Sequence, residues 1–224
     1  MKIGSDTWKQ LLLRGAEALG SPLDPRHIEM LTIFVEELLL WNRRFNLTRI
    51  CDPKDIAIKH ILDSLTPVPY LKPSGHVVDL GSGGGFPGIP LKVVRPDLRI
   101  DLVDASRKKV HFLKHVIRVL GLKGIQAHQK RAEELGRLGG YRGQYHAVVS
   151  RAFSDLDDLL DRAAPLLQGH GLLIAMKGRE CESELSEVRG RIESEGLPFA
   201  LDSRVFHLPE SGDTRRLVLL TRLD

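Results

Sequence analysis

Asp79 and the glycines behind it are the residues whose types and spacing point most directly to chemistry. The run His76-Val77-Val78-Asp79-Leu80 is apolar and β-branched, and it breaks into Gly81, Gly83, Gly84, Gly85 and Gly88. An apolar-periodic stretch, Ile89 to Val94, comes next. That order reads as strand, tight turn and helix, the opening of a nucleotide-binding βαβ unit. Glycine is required where the backbone adopts positive φ, or where a ligand approaches closer than a Cβ would allow. Two kinds of ligand fit such a loop. Gly83-x-Gly85-x-x-Gly88 satisfies the dinucleotide pattern, and Asp79-x-Gly81-x-Gly83-x-Gly85 satisfies that of an S-adenosylmethionine (SAM) site. The second frame is favoured. A carboxylate at the strand end can accept hydrogen bonds from a cofactor amine, directly or through water, whereas it would repel a pyrophosphate.

In doubly wound sheets, ligands bind outside the carboxyl ends of the strands. Asp104 ends the second predicted strand, about twenty positions past the glycines, where an acidic residue can grip both ribose hydroxyls. Arg131-Ala132-Glu133-Glu134 follows the third strand, and backbone groups of Ala132 and Glu133 would read an adenine edge there; a plain helix start fits equally well. The fourth strand ends in Ser150-Arg151-Ala152, the position that faces the transferred methyl group. The Asn/Asp/Ser-Pro-Pro-aromatic motif of exocyclic amine methylation is absent there, and neither Cys51 nor Cys181 is near enough to serve as a nucleophile for cytosine C5. What remains is an acceptor already nucleophilic when neutral, such as a purine N7, for which positioning supplies most of the acceleration. Arg151 is the expected catalytic-site residue, gripping the SAM carboxylate or an RNA phosphate. Arg107, Lys108 and Lys109 open a predicted helix, where cations oppose the macrodipole, a hint of phosphate binding.

The elements that must hold these residues alternate. Ile28, Leu31, Val35, Leu38 and Trp41 share one helical face, and a second helix is expected over 53–65, with Asp52 as N-cap and Pro53 first. A proline-rich connector over 66–75 leads into the strand ending at Asp79. Strands are predicted at Arg99–Val103, Ile125–His128, Tyr145–Ser150 and Gly171–Met176. Between them lie a Ser106-capped helix, a Leu156–Leu167 helix opened by Ser154 and Asp157, and a Glu180–Glu195 helix. Phe199–Leu208 and Arg216–Arg222, joined across Pro209-Glu210-Ser211-Gly212-Asp213, read as a terminal antiparallel hairpin. The expected fold class is α/β: a SAM-dependent methyltransferase Rossmann-like sheet with an antiparallel terminal hairpin, preceded by N-terminal helices. The division expected is an N-terminal helical extension, 1–72, packed on a SAM-binding core, 73–224.

The 224 residues carry a net charge of +4, concentrated in Arg43-Arg44, Arg107-Lys108-Lys109, Lys130-Arg131 and Arg215-Arg216, which favours a polyanionic partner. No apolar run is long enough to span a membrane. The N-terminal Asp6, Lys9, Arg14 and Glu17 do not fit a signal peptide. Cys51 and Cys181 read as free thiols in a reducing compartment, and His60, His111, His115 and His128 lack metal-ligand spacing, so no metal is expected. A cytoplasmic monomer is the expectation.

Together these segments resemble a known family, bacterial glucose-inhibited division protein B, the 16S rRNA guanine-N7 methyltransferases. The specific stretches are Trp41-Asn42 through Phe45-Asn46-Leu47-Thr48, His60-Ile61-Leu62-Asp63-Ser64, Asp79 through Pro90, Ser150-Arg151-Ala152-Phe153, Met176-Lys177-Gly178 and Arg215-Arg216-Leu217. The resemblance implies a cytoplasmic SAM enzyme that methylates N7 of one guanosine, position 527 of 16S rRNA, with the small ribosomal subunit as partner. It places Gly81, Phe86, Ala132, Glu133 and Arg151 against SAM, and it is compatible with Gly83, Gly85 and Asp104 there. Asn46, Lys177, Arg215 and Arg216 match family positions and are assigned with Arg107, Lys108 and Lys109 to the RNA; His60 and Asp63 match too, with capping or bridging of helices an equal reading. His146 departs from the pattern, standing where the family usually has an acidic residue. The alternatives are a SAM methyltransferase for another RNA or a protein, and a non-catalytic SAM- or RNA-binding protein of the ribosome.

Overall fold

The computed structural model describes every residue except Ala152 and Ser154. Two long helices come first. In α1 (Asp6–Ala18), Ser5 caps the start by accepting the Trp8 N–H. In α2 (Pro25–Phe45), Asp24 accepts the His27 N–H ahead of Pro25. The face of α2 predicted from periodicity is buried at Ile28, Leu31, Val35 and Leu38, joined by Phe34, while Trp41 is half-buried at its edge. The expected helix over 53–65 forms, with Asp52 accepting the Lys54 and Asp55 N–H groups. Its winding changes along the way: α3 (Pro53–Asp55) widens into a π-helix (Ile56–Leu62) before α4 (Asp63–Leu65). Such π-turns are rare and recur at functional sites.

The strands are β1 (Gly75–Leu80), β2 (Leu98–Asp104), β3 (Ile125–Gln129), β4 (Tyr145–Ser150), β5 (Leu167–Lys177), β6 (Phe199–His207) and β7 (Thr214–Arg222). The helices between them are α5 (Gly88–Val94), α6 (Arg107–Val119), α7 (Ala132–Leu135), α8 (Leu156–Ala163) and α9 (Glu182–Glu195). They build one seven-stranded sheet in the order β3-β2-β1-β4-β5-β7-β6. The first five strands run parallel, and β7 lies antiparallel between β5 and β6. The predicted terminal hairpin is thus present, and its second strand is inserted inside the first.

One hydrophobic cluster unites α1, α2 and the π-helix with α5, α6 and one face of the sheet. Trp8, Phe34 and Phe112 are fully buried within it. A second cluster packs α8 and α9 on the other face. Burying side chains of this size contributes roughly 1.5–3 kcal/mol each, so both layers are firmly seated.

Several boundaries differ from the sequence reading. Ser106 occupies the N-cap position of α6, but its side chain makes no capping bond; its N–H donates instead to Asp104 Oδ1 (2.8 Å). Ser154 lies outside the described residues, and α8 is capped by Asp155, which accepts the Asp158 N–H. That helix ends at Ala163, a 3-10 turn covers Ala164–Leu166, and β5 begins at Leu167 rather than Gly171. The early part of β5 contains Gly169 and Gly171 and pairs irregularly, Tyr145 with Leu167 and then Ala147 with Leu172, so it carries no strand-like alternation. The last long helix starts at Glu182, two residues later than expected.

Candidate functional site

The glycine loop is stitched to the end of β2. Gly81 and Ser82 both donate N–H bonds to the Val103 carbonyl (2.8 and 3.0 Å), and the Ser82 hydroxyl accepts the Val103 N–H (3.1 Å). Gly85 has φ 96°, and a Cβ there would stand 2.9 Å from Ile89 and 3.2 Å from Phe34. At Gly88 a Cβ would collide with Leu102 and with Asp79 Oδ2. The glycines therefore bring α5 down onto Asp79.

Asp79 is fully buried. Its Oδ2 accepts the Gly88 N–H (3.0 Å), while Oδ1 has no hydrogen-bond partner. Burial pushes this carboxyl up to about 7, against the opposing pull of the Gly88 N–H, Ser82 and Arg151. Asp104 is also turned inward. Its Oδ2 accepts the Gly83 N–H (3.0 Å), its Oδ1 accepts the Ser106 N–H, and Lys109 Nζ stands 3.7 Å from Oδ2. A carboxylate oxygen has two lone pairs, so acceptor capacity remains on both.

A cleft of about 290 Å³ opens over these strand ends, lined by Gly81, Asp104, Ala132, Glu133 and Phe153 among others. The Glu133 carboxylate pairs with Arg162 of α8, so its main chain is the part offered to a ligand. Beside it lies a second cleft of about 390 Å³, lined by His60, Asp63, Arg151, Lys177, Arg215 and Arg216 among others. The segment after β4 stands between the two, since Phe153 lines the first cleft and Arg151 the second. Phe86 is buried beneath His60 and Arg151: His60 stacks on its ring at 4.3 Å, Phe34 packs against it at 5.0 Å, and the Arg151 guanidinium sits 5.2 Å from its centre.

Charged groups converge in the second cleft. Arg151 Nη1 donates to the Lys59 carbonyl (2.9 Å) and faces Asp63 Oδ2 at 3.5 Å, while Nη2 lies 3.2 Å from His60 Nδ1. Arg215 Nε faces the other Asp63 oxygen at 3.5 Å. Burial raises the Asp63 carboxyl, and the two guanidiniums offset part of that rise. Burial, with Arg151 beside it, pushes His60 down to about 3. Lys177 Nζ reaches Glu184 (2.6 Å) and the Phe153 carbonyl (3.1 Å), and Arg216 pairs with Glu182.

The structure thus gathers Gly81, Asp104, Ala132 and Glu133 at one cleft and Arg151, Lys177, Arg215 and Arg216 at the other; Phe86 is buried under Arg151, Asp79 and Gly85 are buried, and Gly83 is bonded to Asp104. Arg107 and Lys108 are exposed on the first turn of α6, and Lys109 leans toward Asp104. Asn46 stands apart from both linings, as the left-handed C-cap of α2 (φ 50°). His60 and Asp63, reached in the sequence only through family resemblance, prove central to the second cleft. Lys59 and Glu184 were not singled out, because they act on Arg151 and Leu156, distant in the chain, and Thr48 was quoted only within the resembling stretch, with no role. His146 packs over Gly75 at the start of β4, where a glycine Cβ would overlap its ring, at the far end of the strands from the glycine loop.

Against known proteins, residues 27–203 match the model of the GidB family, described as rRNA small subunit methyltransferase G. A protein of Geobacter sp. (strain M21), named ribosomal RNA small subunit methyltransferase G, is 42% identical over 96% of this chain and 97% of its own length. Among solved structures, the Bacillus subtilis M1A22 tRNA methyltransferase TrmK superposes with a TM-score of 0.57 at 15% identity, covering 71% of this chain and 65% of that one. The structure of M. jannaschii TYW2 in complex with AdoMet superposes with a TM-score of 0.51 at 16% identity, covering 67% of this chain and 69% of that one. At these identities the structural likeness speaks to the fold.

Proposed function

The chain belongs to the GidB family of rRNA small subunit methyltransferases G, and from that premise we propose that it transfers the methyl group of SAM to N7 of a single guanosine, position 527, in the 16S rRNA of the small ribosomal subunit. The residues present suit the cofactor. Among the described residues Asp79 Oδ1 is a buried acceptor without a partner, and it would take hydrogen bonds from the methionine amine directly or through water. Asp104 would hold the ribose hydroxyls, backbone groups of Ala132 and Glu133 would read the adenine edge, and Gly81, Gly83, Gly85 and Phe86 would shape the wall. Bound SAM supplies an electrophilic methyl group on a sulfonium. Arg151 would grip its carboxylate. Lys177, Arg215 and Arg216 would meet RNA phosphates in the second cleft, with Arg107, Lys108, Lys109 and Asn46 outside it.

One observation carries the choice of acceptor atom. The described groups of the second cleft that might take a proton are engaged: His60 titrates near 3, and Asp63 lies between Arg151 and Arg215. Purine N7 has an in-plane lone pair and no proton to lose, so alignment alone serves it. Asp63 also balances the two guanidiniums near a base on which positive charge develops. Residues 1–72 act as an extension that completes the second cleft, and 73–224 as the SAM-binding core. Among the described residues no helix is long and apolar enough to cross a membrane; the partner assigns the chain to the cytoplasm, working as a monomer.

The test is incubation with radiolabelled SAM and small subunits lacking the modification, followed by N7-specific strand scission. A single labelled guanosine at position 527 is expected. Label elsewhere, or on a ribosomal protein, would replace this reading with a different acceptor.

A further inference from the structure

The loop that follows α2 reaches His60, on the lining of the second cleft, through one hydroxyl. Asn42 Oδ1 accepts the Thr48 N–H (2.9 Å), which fixes the loop to the last turns of α2. Thr48 Oγ1 accepts the Ile50 N–H (3.1 Å) and lies 2.8 Å from His60 Nε2. On the opposite edge of that ring, Arg151 Nη2 lies 3.2 Å from Nδ1. A guanidinium only donates, so the Nδ1 facing it carries a lone pair. A neutral imidazole then bears its single proton on Nε2, and that N–H donates to Thr48 Oγ1. The doubly protonated ring would set one N–H against another at Arg151, and burial already disfavours it.

We propose that Thr48 is a positioning residue for methyl transfer: its hydroxyl holds His60 as the Nε2–H tautomer, and the Nδ1 lone pair so presented fixes the Arg151 guanidinium beside Phe86. Thr48 itself lines neither cleft; it acts through His60, which lines the second. The second guanidinium nitrogen, Nη1, is held by the Lys59 carbonyl on the same π-helix, so both ends of the fork are referred to one short segment. That segment is locked in turn by the Ser64 hydroxyl on the His60 carbonyl (2.5 Å). Losing the Thr48 hydroxyl leaves a buried imidazole N–H unpaired and frees the ring to turn, and Arg151 turns with it. Misplacement of about 1 Å at a reacting centre slows a reaction up to roughly 100-fold.

This inference rests on the assignment of Arg151 to the methyl-transfer site, and its test separates the two. Thr48→Val keeps the shape and removes the hydroxyl, and Thr48→Ser keeps the hydroxyl. With undermethylated small subunits, Thr48→Val is expected to lower kcat about tenfold, leaving the KM for SAM and for subunits within about twofold, and Thr48→Ser is expected to restore at least half of the wild-type rate. Imidazole ¹⁵N NMR of the wild-type chain, without substrate, is expected to find the His60 proton on Nε2. Wild-type kcat in Thr48→Val, a Ser variant as slow as the Val variant, or a proton on Nδ1 would each overturn the proposal. The tautomer is read without any methyl acceptor, so the wrong acceptor atom for the enzyme would leave that measurement intact. If Thr48→Val does not fold, the Ser variant and the wild-type tautomer still decide.

Discussion

Asp79 combines full burial with one unpaired oxygen, and the combination has a measurable signature. Its carboxyl is raised to about 7 in the folded chain, chiefly by burial, above the ordinary value of 3.8. Between about pH 4 and 7 the unfolded chain has lost this proton while the folded one keeps it, so wild-type stability falls as pH rises across that window and levels off above it. Asp79→Asn removes the slope. Denaturant midpoints taken from pH 4 to 8 should therefore show the variant gaining on the wild type up to about pH 7, while its SAM affinity drops at least tenfold by calorimetry. Parallel pH profiles for the two chains would remove the basis for this view of Asp79. The loop around Asp79 was legible in the sequence because its information is local: glycines at fixed offsets behind a β-branched run. Each of Thr48, His60 and Arg151 lies in a stretch that carries the family resemblance, but their meeting was not legible, since 12 and 91 positions separate their contacts.

At the level of elements, four strands of the sheet meet at a polar knot that the scattered histidines gave no sign of. Asp101 of β2 accepts from Tyr145 of β4 (2.7 Å) and lies 2.9 Å from His76 of β1 and 3.0 Å from His128 of β3. Burial would raise its carboxyl, but hydrogen bonds from His128, His76 and Tyr145 hold it well below the usual carboxylate range. A group so depressed contributes stability above its unfolded value that disappears as pH falls through the folded one. Asp101→Asn leaves at least one buried donor without an acceptor, and should destabilise the sheet by about 1–3 kcal/mol at neutral pH, with the difference shrinking below about pH 4. Equal melting temperatures at pH 7 would mean that the knot is only incidental. The strands themselves were readable from their apolar runs, as was the cap at Asp52, where a short acidic side chain precedes proline. The start of β5 was not, because its pairing is irregular and its glycines carry no pattern.

For the molecule as a whole, charge placement matters more than the net +4. Arg43 and Arg44 end α2 and Arg107 and Lys108 begin α6, all exposed, and Trp41 packs on Phe112 and His115 to hold those helices side by side. Each phosphate neutralised releases counterions, with a log-log salt slope of about 0.7–0.9 per contact. The double variant Arg107→Ala, Lys108→Ala should flatten the salt dependence of small-subunit binding by about 1–2 and leave SAM affinity unchanged. An unaltered slope would take these two cations out of the RNA footprint. The insertion of β7 between β5 and β6 has a consequence in time as well as space. Strand β5 presents an open edge until β7 is synthesised, and β7 also brings Arg215 and Arg216. The growing chain therefore holds its five parallel strands, and Lys59, Arg151 and Lys177 of the second cleft, before it holds Arg215 and Arg216. Covering the β5 edge and completing that cleft are thus one and the same event.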